Sequence, residues 1–280
     1  MPPIVHLIDA SPYLFRAWFS VPRSVVDARG KPINAVYGFT GFLKKYIAGA
    51  KPTHIAVAFD RHFNQSFRND YFPAYKAHRE KSPPELDAQV DPSVAAVEAM
   101  GITTFIAPRH EADDIIATII DRIADGEMHF MIVSSDKDLT QLVSDRVTFV
   151  DPVRNKYYDP AGVKSKFGVR PDQITDYLGL CGDAVDNIPG VRGIGPKTAA
   201  QLLQRHGSIE NLVKTWSAAD DIESALLSKR LATAALDAPI TVTLDALRYR
   251  GYDVMQEDNM AKGNNARKKE TKKPKKDKSK

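Results

Sequence analysis

Short apolar runs alternate with amphipathic stretches through the first half of the chain. Ile4–Ile8, His54–Phe59, Thr103–Ile106, His129–Val133 and Val147–Val150 have the length and branched-residue content of buried strands. Between the first two, apolar positions 36, 39, 42, 43, 46 and 47 recur at helical spacing and predict a helix over Ala35–Ala48. Asp91 followed by Pro92 has the signature of a helix start, and the helix should run to Met100-Gly101. Ile115, Ile116, Ile119, Ile120 and Ile123 form one face of a third helix. Strands separated by helices predict an α/β fold, with a mostly parallel central sheet flanked by helices.

After about residue 171 the strand signal fades. Pro171–Leu180, Pro196–His206, Ser208–Thr215 and Ala219–Leu236 read as helices. The expected organisation is an α/β core over 1–170, a helical part over 171–256 and a separate tail over 261–280. One connection inside the core is unusual. Arg61–Pro84 is long, aperiodic and rich in aromatic, basic and proline residues. Connections of that size are functional or disordered.

Composition narrows the class. The chain has 280 residues, 43% hydrophobic and 26% charged, as expected of a soluble globular protein. No apolar run approaches the ~18–20 residues that span a bilayer. The start, MPPIVHLIDASPY, lacks the basic and apolar regions of a signal peptide. The single cysteine, Cys181, excludes an internal disulfide framework and a cysteine-based zinc site, so a cytoplasmic, reducing setting is expected. Charge is unevenly spread. The tail holds ten of the 39 Lys and Arg and two of the 35 Asp and Glu, leaving 29 basic and 33 acidic residues in the body. Such a tail is expected to be disordered, and to raise affinity for a polyanion by counterion release.

The chemistry lies in the acids. Asp9 closes the first strand and Asp60 follows the second. Glu111, Asp113 and Asp114 open the isoleucine-rich helix, and Asp136 and Asp138 follow the fourth strand. Ligands gather outside the carboxyl ends of strands in open α/β sheets. Glu111 and Asp114 share an i, i+3 spacing, and Asp183 and Asp186 repeat it. Two bare carboxylates 4 Å apart repel by ~4 kcal/mol at an effective dielectric of 20, so such a cluster needs cations. Oxygen-only ligands suit Mg²⁺ or Mn²⁺ rather than zinc. The same acids, taken singly, are also ordinary caps and turn residues.

Two further segments suit nucleic acid. Gly190, Gly193 and Gly195 precede a helix opened by Pro196, Lys197 and Thr198. Pro196 spoils the P-loop pattern, leaving a helix–hairpin–helix whose free amides and Lys197 favour a backbone phosphate. In 61–84, Arg61, Arg68, Lys76, Arg79 and Lys81 interleave with Phe63, Phe67, Tyr71, Phe72 and Tyr75. Cations there can meet phosphates while aromatic faces stack on unpaired bases.

The stretches IDASPYLFRAW, KPTHIAVAFD, FRNDYFPAYKAHR, EADDIIATI, SSDKDLTQLV and GDAVDNIPGVRGIGPKTA occur in that order. Over residues 4–250 the chain thereby resembles the structure-specific 5′-nuclease family of 5′→3′ exonucleases and flap endonucleases. The likeness is greatest to the 5′-nuclease domain of bacterial DNA polymerase I and its stand-alone homologues. The resemblance implies a PIN-like fold, a helical arch at about 61–90 and a helix–three-turn–helix at about 176–206. It implies two Mg²⁺ ions, with Mn²⁺ as a substitute, and K⁺ at the hairpin. Asp60, Glu111, Asp113 and Asp114 would serve the first metal centre, and Asp136, Asp138, Asp183 and Asp186 the second, with Asp9 acting through bound water. Asp9, Asp60 and Asp138 would thus be catalytic, beside Lys76 and Arg79 over the scissile phosphate. Tyr75 would stack on a base, Arg68 would touch DNA, and Gly190–Thr198, including Gly193, Gly195 and Lys197, would hold duplex. The implied substrates are 5′ flaps, nicks and free 5′ ends, cut by a monomer with no membrane partner. The position after Asp9 is Ala10, where polymerase I-like domains usually have Gly. A catalytically weak flap-binding protein and a PIN-like ribonuclease are the rival readings.

Overall fold

The computed structural model describes residues 3–61 and 66–251. Phe63 and the basic tail lie outside the described residues. Six strands form one sheet: β1 (Ile4–Asp9), β2 (His54–Ala58), β3 (Thr103–Phe105), β4 (His129–Val133), β5 (Val147–Asp151) and β6 (Lys156–Tyr158), in the order β3-β2-β1-β4-β5-β6. The first five strands pair in parallel and β6 pairs antiparallel to β5. The predicted strands are all present. The sixth, three residues long, is too short to give a period in the sequence.

Ten helices accompany the sheet among the described residues: α1 (Ser11–Ser20), α2 (Asn34–Ala50), α3 (Pro84–Asp87), α4 (Val90–Glu98), α5 (Ala112–Ile123), α6 (Pro160–Phe167), α7 (Ile174–Cys181), α8 (Pro196–His206), α9 (Ile209–Leu212) and α10 (Ala219–Ala232). Alternation along each strand feeds two cores. Leu7, Ala56 and Ile132 face α5 and the helices that follow α6. Ile8, Val57 and Val133 point the other way, onto Phe39, Leu43 and Ile47 of α2. Register holds this in place, with Leu7 opposite both Ala56 and Ile132. A one-residue slip would turn each strand's core face outward.

The chain winds from β1 outward to β3, then returns past β1 to β4. The reversal leaves a crevice beyond the carboxyl ends of β1 and β4, the position where such sheets bind ligands.

The expected helical arch is not what residues 66–90 form. The segment holds one 3₁₀ turn, Phe67–Asp70, then turns, then the four-residue α3. Pro73, Pro83 and Pro84 deny the donors and angles a long helix requires, and Lys76 sits in the left-handed region at φ 54°. The segment folds down onto the crevice, where Lys76 meets both Glu111 and Asp186.

Candidate active site

Each acid reaches the crevice by a separate local rule. Asp9 ends β1 and is nearly buried; its Oδ1 accepts from the Ser11 amide at 3.1 Å and its Oδ2 from the Ser134 hydroxyl at 2.7 Å. Asp60 accepts from the Ser11 hydroxyl and from the Ala112 amide, both at 2.5 Å, which ties β2 to the first turn of α5. Glu111 caps α5 and places its carboxylate 2.5 Å from the Lys76 ammonium and 3.2 Å from the Tyr75 hydroxyl. Asp136 caps the 3₁₀ turn after β4 by accepting from the Asp138 amide at 3.0 Å. Asp183 and Asp186 arrive from the hairpin after α7. Asp183 accepts from the Val185 amide at 2.8 Å and from Lys137. Asp186 receives Arg79 on one oxygen and lies 3.5 Å from Lys76 on the other.

These groups feel one another's charge. Burial, then Asp60 and Asp136, push the Asp9 carboxyl up to about 8. Burial, then Asp136, push Asp138 to about 8 as well. Asp113 is raised well above the ordinary range by burial and by Asp136 and Asp9, and Asp60 and Asp136 are raised too, chiefly by burial. Glu111 behaves oppositely. Burial works to raise it, but Lys76 and Arg68 overcome that and hold it down to about 2. So acids spread over 178 positions, from Asp9 to Asp186, share one low-dielectric crevice whose charge is only partly balanced.

The balancing groups are the chain's own cations. Lys76, Arg79 and Lys137 stand among the acids. Among the described residues no three carboxyl, imidazole or thiol donors close on one point as a finished ligand set. The chemistry nonetheless fits a hard divalent cation. The donors are carboxylate oxygens, and among the described residues the buried Asp138 Oδ1 receives no hydrogen bond, the Lys137 ammonium standing off at 3.6 Å. A buried acceptor without a donor costs about 1–3 kcal/mol and is what a cation would satisfy. A small cavity of about 10 Å³ lies between Glu111, Asp113, Asp138 and Asp186 on one side and Leu231, Ala232 and Ala234, at and beyond the end of α10, on the other.

Four sequence expectations change here. Asp114 is fully buried, with both oxygens on Arg68 at 2.8 and 2.9 Å and further donors from the Glu111 and Ala235 amides. It is a structural anion with no free lone pair for a metal. Arg68, expected on DNA, is 3% exposed and spends its remaining N–H groups on the carbonyls of Leu231 and Thr233 and on Ser66. Tyr75 is 4% exposed and donates toward Glu111 and Asp186 rather than offering a ring face for stacking. Gly190 is buried, and a Cβ on it would meet the Gly182 nitrogen at 2.3 Å, so its φ of 63° serves the closing of the hairpin. The amide of Gly190 donates to Ser228 on α10. By contrast Gly193 and Gly195 face open space, and Lys197 and Thr198 on the first turn of α8 are exposed, as a DNA grip would require.

Sequence reasoning missed Lys137, Ser11 and Ser134. Lys137 lies inside SSDKD, between two assigned acids, where its charge was the available signal. The serines carry no charge pattern and are recognisable only by contact.

Comparison with known proteins agrees with this geometry. Residues 4–168 match the 5′-3′ exonuclease N-terminal resolvase-like domain, and residues 169–255 match the 5′-3′ exonuclease C-terminal SAM fold. The chain is 41% identical over 265 residues to DNA polymerase I of Bacillus caldotenax, covering 88% of this chain and 30% of that protein. It therefore spans about a third of such relatives. A 5′-3′ exonuclease of Aquifex aeolicus is 34% identical over 259 residues, covering 89% of this chain and 88% of that one. Among solved structures, the T5 D15 protein co-crystallised with metal ions shares the fold at a TM-score of 0.66 and 21% identity, over 92% of this chain and 97% of that one. The catalytic core of Rad2 in complex with DNA substrate aligns at 0.60 and 14% identity, over 91% and 85%. By sequence and by fold, the chain belongs to the 5′-3′ exonuclease family.

Proposed function

We propose that the chain hydrolyses DNA phosphodiester bonds as a structure-specific 5′→3′ exonuclease and 5′-flap endonuclease, leaving 5′-phosphate ends. The observation that carries this reading is the buried set of carboxylates around Asp138, whose Oδ1 lacks a donor among the described residues. Asp9, Asp60, Glu111, Asp113, Asp136, Asp138, Asp183 and Asp186 would hold two Mg²⁺ ions, or Mn²⁺ in their place. When bound, such ions supply charge that activates water and steadies the phosphate as it becomes more negative. Asp114 is left out because Arg68 takes both its oxygens.

The other residues bind and orient. Lys76 and Arg79 pair with Glu111 and Asp186 and would turn to the scissile phosphate when cations take over those acids. Gly193, Gly195, Lys197 and Thr198 would hold duplex backbone, with K⁺ at the same hairpin. The substrate would be a 5′ flap, a nick or a free 5′ end, met by a monomer in the cytoplasm. No helix among the described residues is long and apolar enough to cross a membrane.

The test is cleavage of a labelled 5′-flap duplex in Mg²⁺, beside a matched RNA flap. DNA cleavage is expected, and Asp138→Ala should slow it by about 10³-fold, several kcal/mol of lost charge stabilisation. Cleavage at the parental rate by that variant would overturn the assignment. Tight flap binding with no turnover in Mg²⁺ or Mn²⁺ would mark a flap-binding protein instead, and preference for the RNA flap a ribonuclease.

A further inference from the structure

A second cavity, of about 250 Å³, opens beyond the ends of β4 and β5, where β6 and α6 wall it in. Its character is opposite to that of the acidic crevice. Lys137, Arg154, Lys156 and Lys166 line it, against one carboxylate, Asp151. That carboxylate is already committed. Its Oδ1 accepts from the Val153 and Arg154 amides at 3.1 Å each, and its Oδ2 faces the Arg154 guanidinium at 3.2 Å. Among the described residues neither Lys156 nor Lys166 pairs with any carboxylate, although residues 1–260 carry more acids than bases. The Lys166 ammonium instead sits over the rings of Tyr158 at 4.5 Å and Phe167 at 4.8 Å. Tyr158 and Phe149 give the cavity its apolar wall.

We propose that this cavity is an anion site for the phosphate of a nucleotide, separate from the acidic crevice and joined to it through Lys137. Unpaired ammonium groups bind phosphate as point charges, and an aromatic wall suits the attached nucleoside. The volume is just below the usual range for a small-molecule site, which begins at about 300 Å³, and suits a phosphate with part of its nucleoside. Lys137 makes the link, because its ammonium also contacts Asp183 and lies 3.6 Å from Asp138. A phosphate in the cavity draws Lys137 from those acids and leaves them freer for a cation. By linkage, a divalent cation in the crevice tightens the phosphate site by the same factor. The phosphate has two possible sources, a strand of DNA or a free 5′-mononucleotide.

The cavity does not depend on the nuclease reading, so it is tested by binding in EDTA, where turnover plays no part. The full chain is titrated with a short single-stranded oligonucleotide, with dTMP and with inorganic phosphate. Lys156→Glu/Lys166→Glu is compared with Lys51→Glu/Arg248→Glu, which reverses two exposed charges near the amino end of β2, across the sheet from the cavity. The cavity variant should bind the oligonucleotide at least about tenfold more weakly, while the control changes far less. Loss confined to the oligonucleotide identifies a strand phosphate as the ligand, and loss for dTMP as well identifies the free nucleotide. Lys156→Gln/Lys166→Gln, milder for folding, should reduce the salt slope of oligonucleotide binding by about one per lysine. Unchanged binding of all three probes, or equal losses in the cavity variant and the control, would overturn the proposal.

Discussion

Asp113 and Asp114 are neighbours on the first turn of α5, yet they belong to two ionic networks of opposite design. Asp114 lies in a closed one. Its two oxygens meet the Arg68 guanidinium side by side, backbone amides of Glu111 and Ala235 fill the remaining positions, and Arg68 itself is fully used. The knot joins residues 66–68, the start of α5 and the strand of chain leaving α10. Asp113 lies in an open network. Among the described residues it receives no hydrogen bond, and its carboxyl is pushed up by burial and by Asp136 and Asp9. One turn of helix thus holds a group that is satisfied by the fold and a group left for something the fold does not supply. The lesson is that burial of a charge does not tell its purpose; the completeness of its partners does.

Substitution of the two neighbours by the same residue is the sharpest way to break this contrast. Asp113→Asn should slow flap cleavage by about 10³-fold, because it removes charge from the proposed cation site. It should leave stability unchanged or improved, since it relieves repulsion in the crevice. Cleavage rates in saturating Mg²⁺ and urea denaturation of the same samples check both halves. A destabilised Asp113→Asn variant with parental activity would show that the two networks are not different in kind.

Asp114→Asn is the converse. It strands the buried Arg68, a residue only 3% exposed, and removing one partner of a buried pair costs about 3–5 kcal/mol. The expected fall in melting temperature is on the order of 10 °C for a chain of this size. Arg68→Met combined with Asp114→Leu should recover most of it, because the pair is then gone from both sides. A double variant no better than Asp114→Asn alone would mean that the backbone contacts of Arg68, not its charge partner, hold the knot.

The same contrast explains what could be read from the sequence. Strand-end acids were legible because a parallel sheet sends all its carboxyl ends to one side, so Asp9, Asp60 and Asp136 followed from the positions of apolar runs. Asp113 and Asp114 could not be separated that way. They differ by about 100° of helical phase, and which phase meets a partner depends on residues far away in the chain. Arg68 bonds to residues 46 and 163 positions distant. No local pattern announces such a contact, and a basic residue in an aromatic-rich loop looked like a DNA contact. The course of segment 66–90 depends on such contacts too: its prolines bar a long helix, and Glu111 and Asp186, far away in the chain, fix where Lys76 and Arg79 lie.

A third buried ionisable group calibrates both networks because it touches neither. His6 lies on β1 with its side chain toward α2, on the face of the sheet away from α5, and its Nδ1 is 2.6 Å from the Tyr46 hydroxyl. Burial lowers its pKa from 6.5 to about 4. The unfolded chain therefore takes up this proton first as the pH falls. The stability due to the neutral ring is complete above about pH 6.5 and is lost between there and pH 4, amounting to about 3 kcal/mol. Denaturation of the parent and of His6→Asn at pH 7, 5.5 and 4.5 isolates this contribution as the difference between the two curves. The gap between parent and variant should close as the pH falls, whatever the carboxylates do, since both proteins carry them. A gap that stays constant from pH 7 to 4.5 would assign the whole acid response to the carboxylate networks.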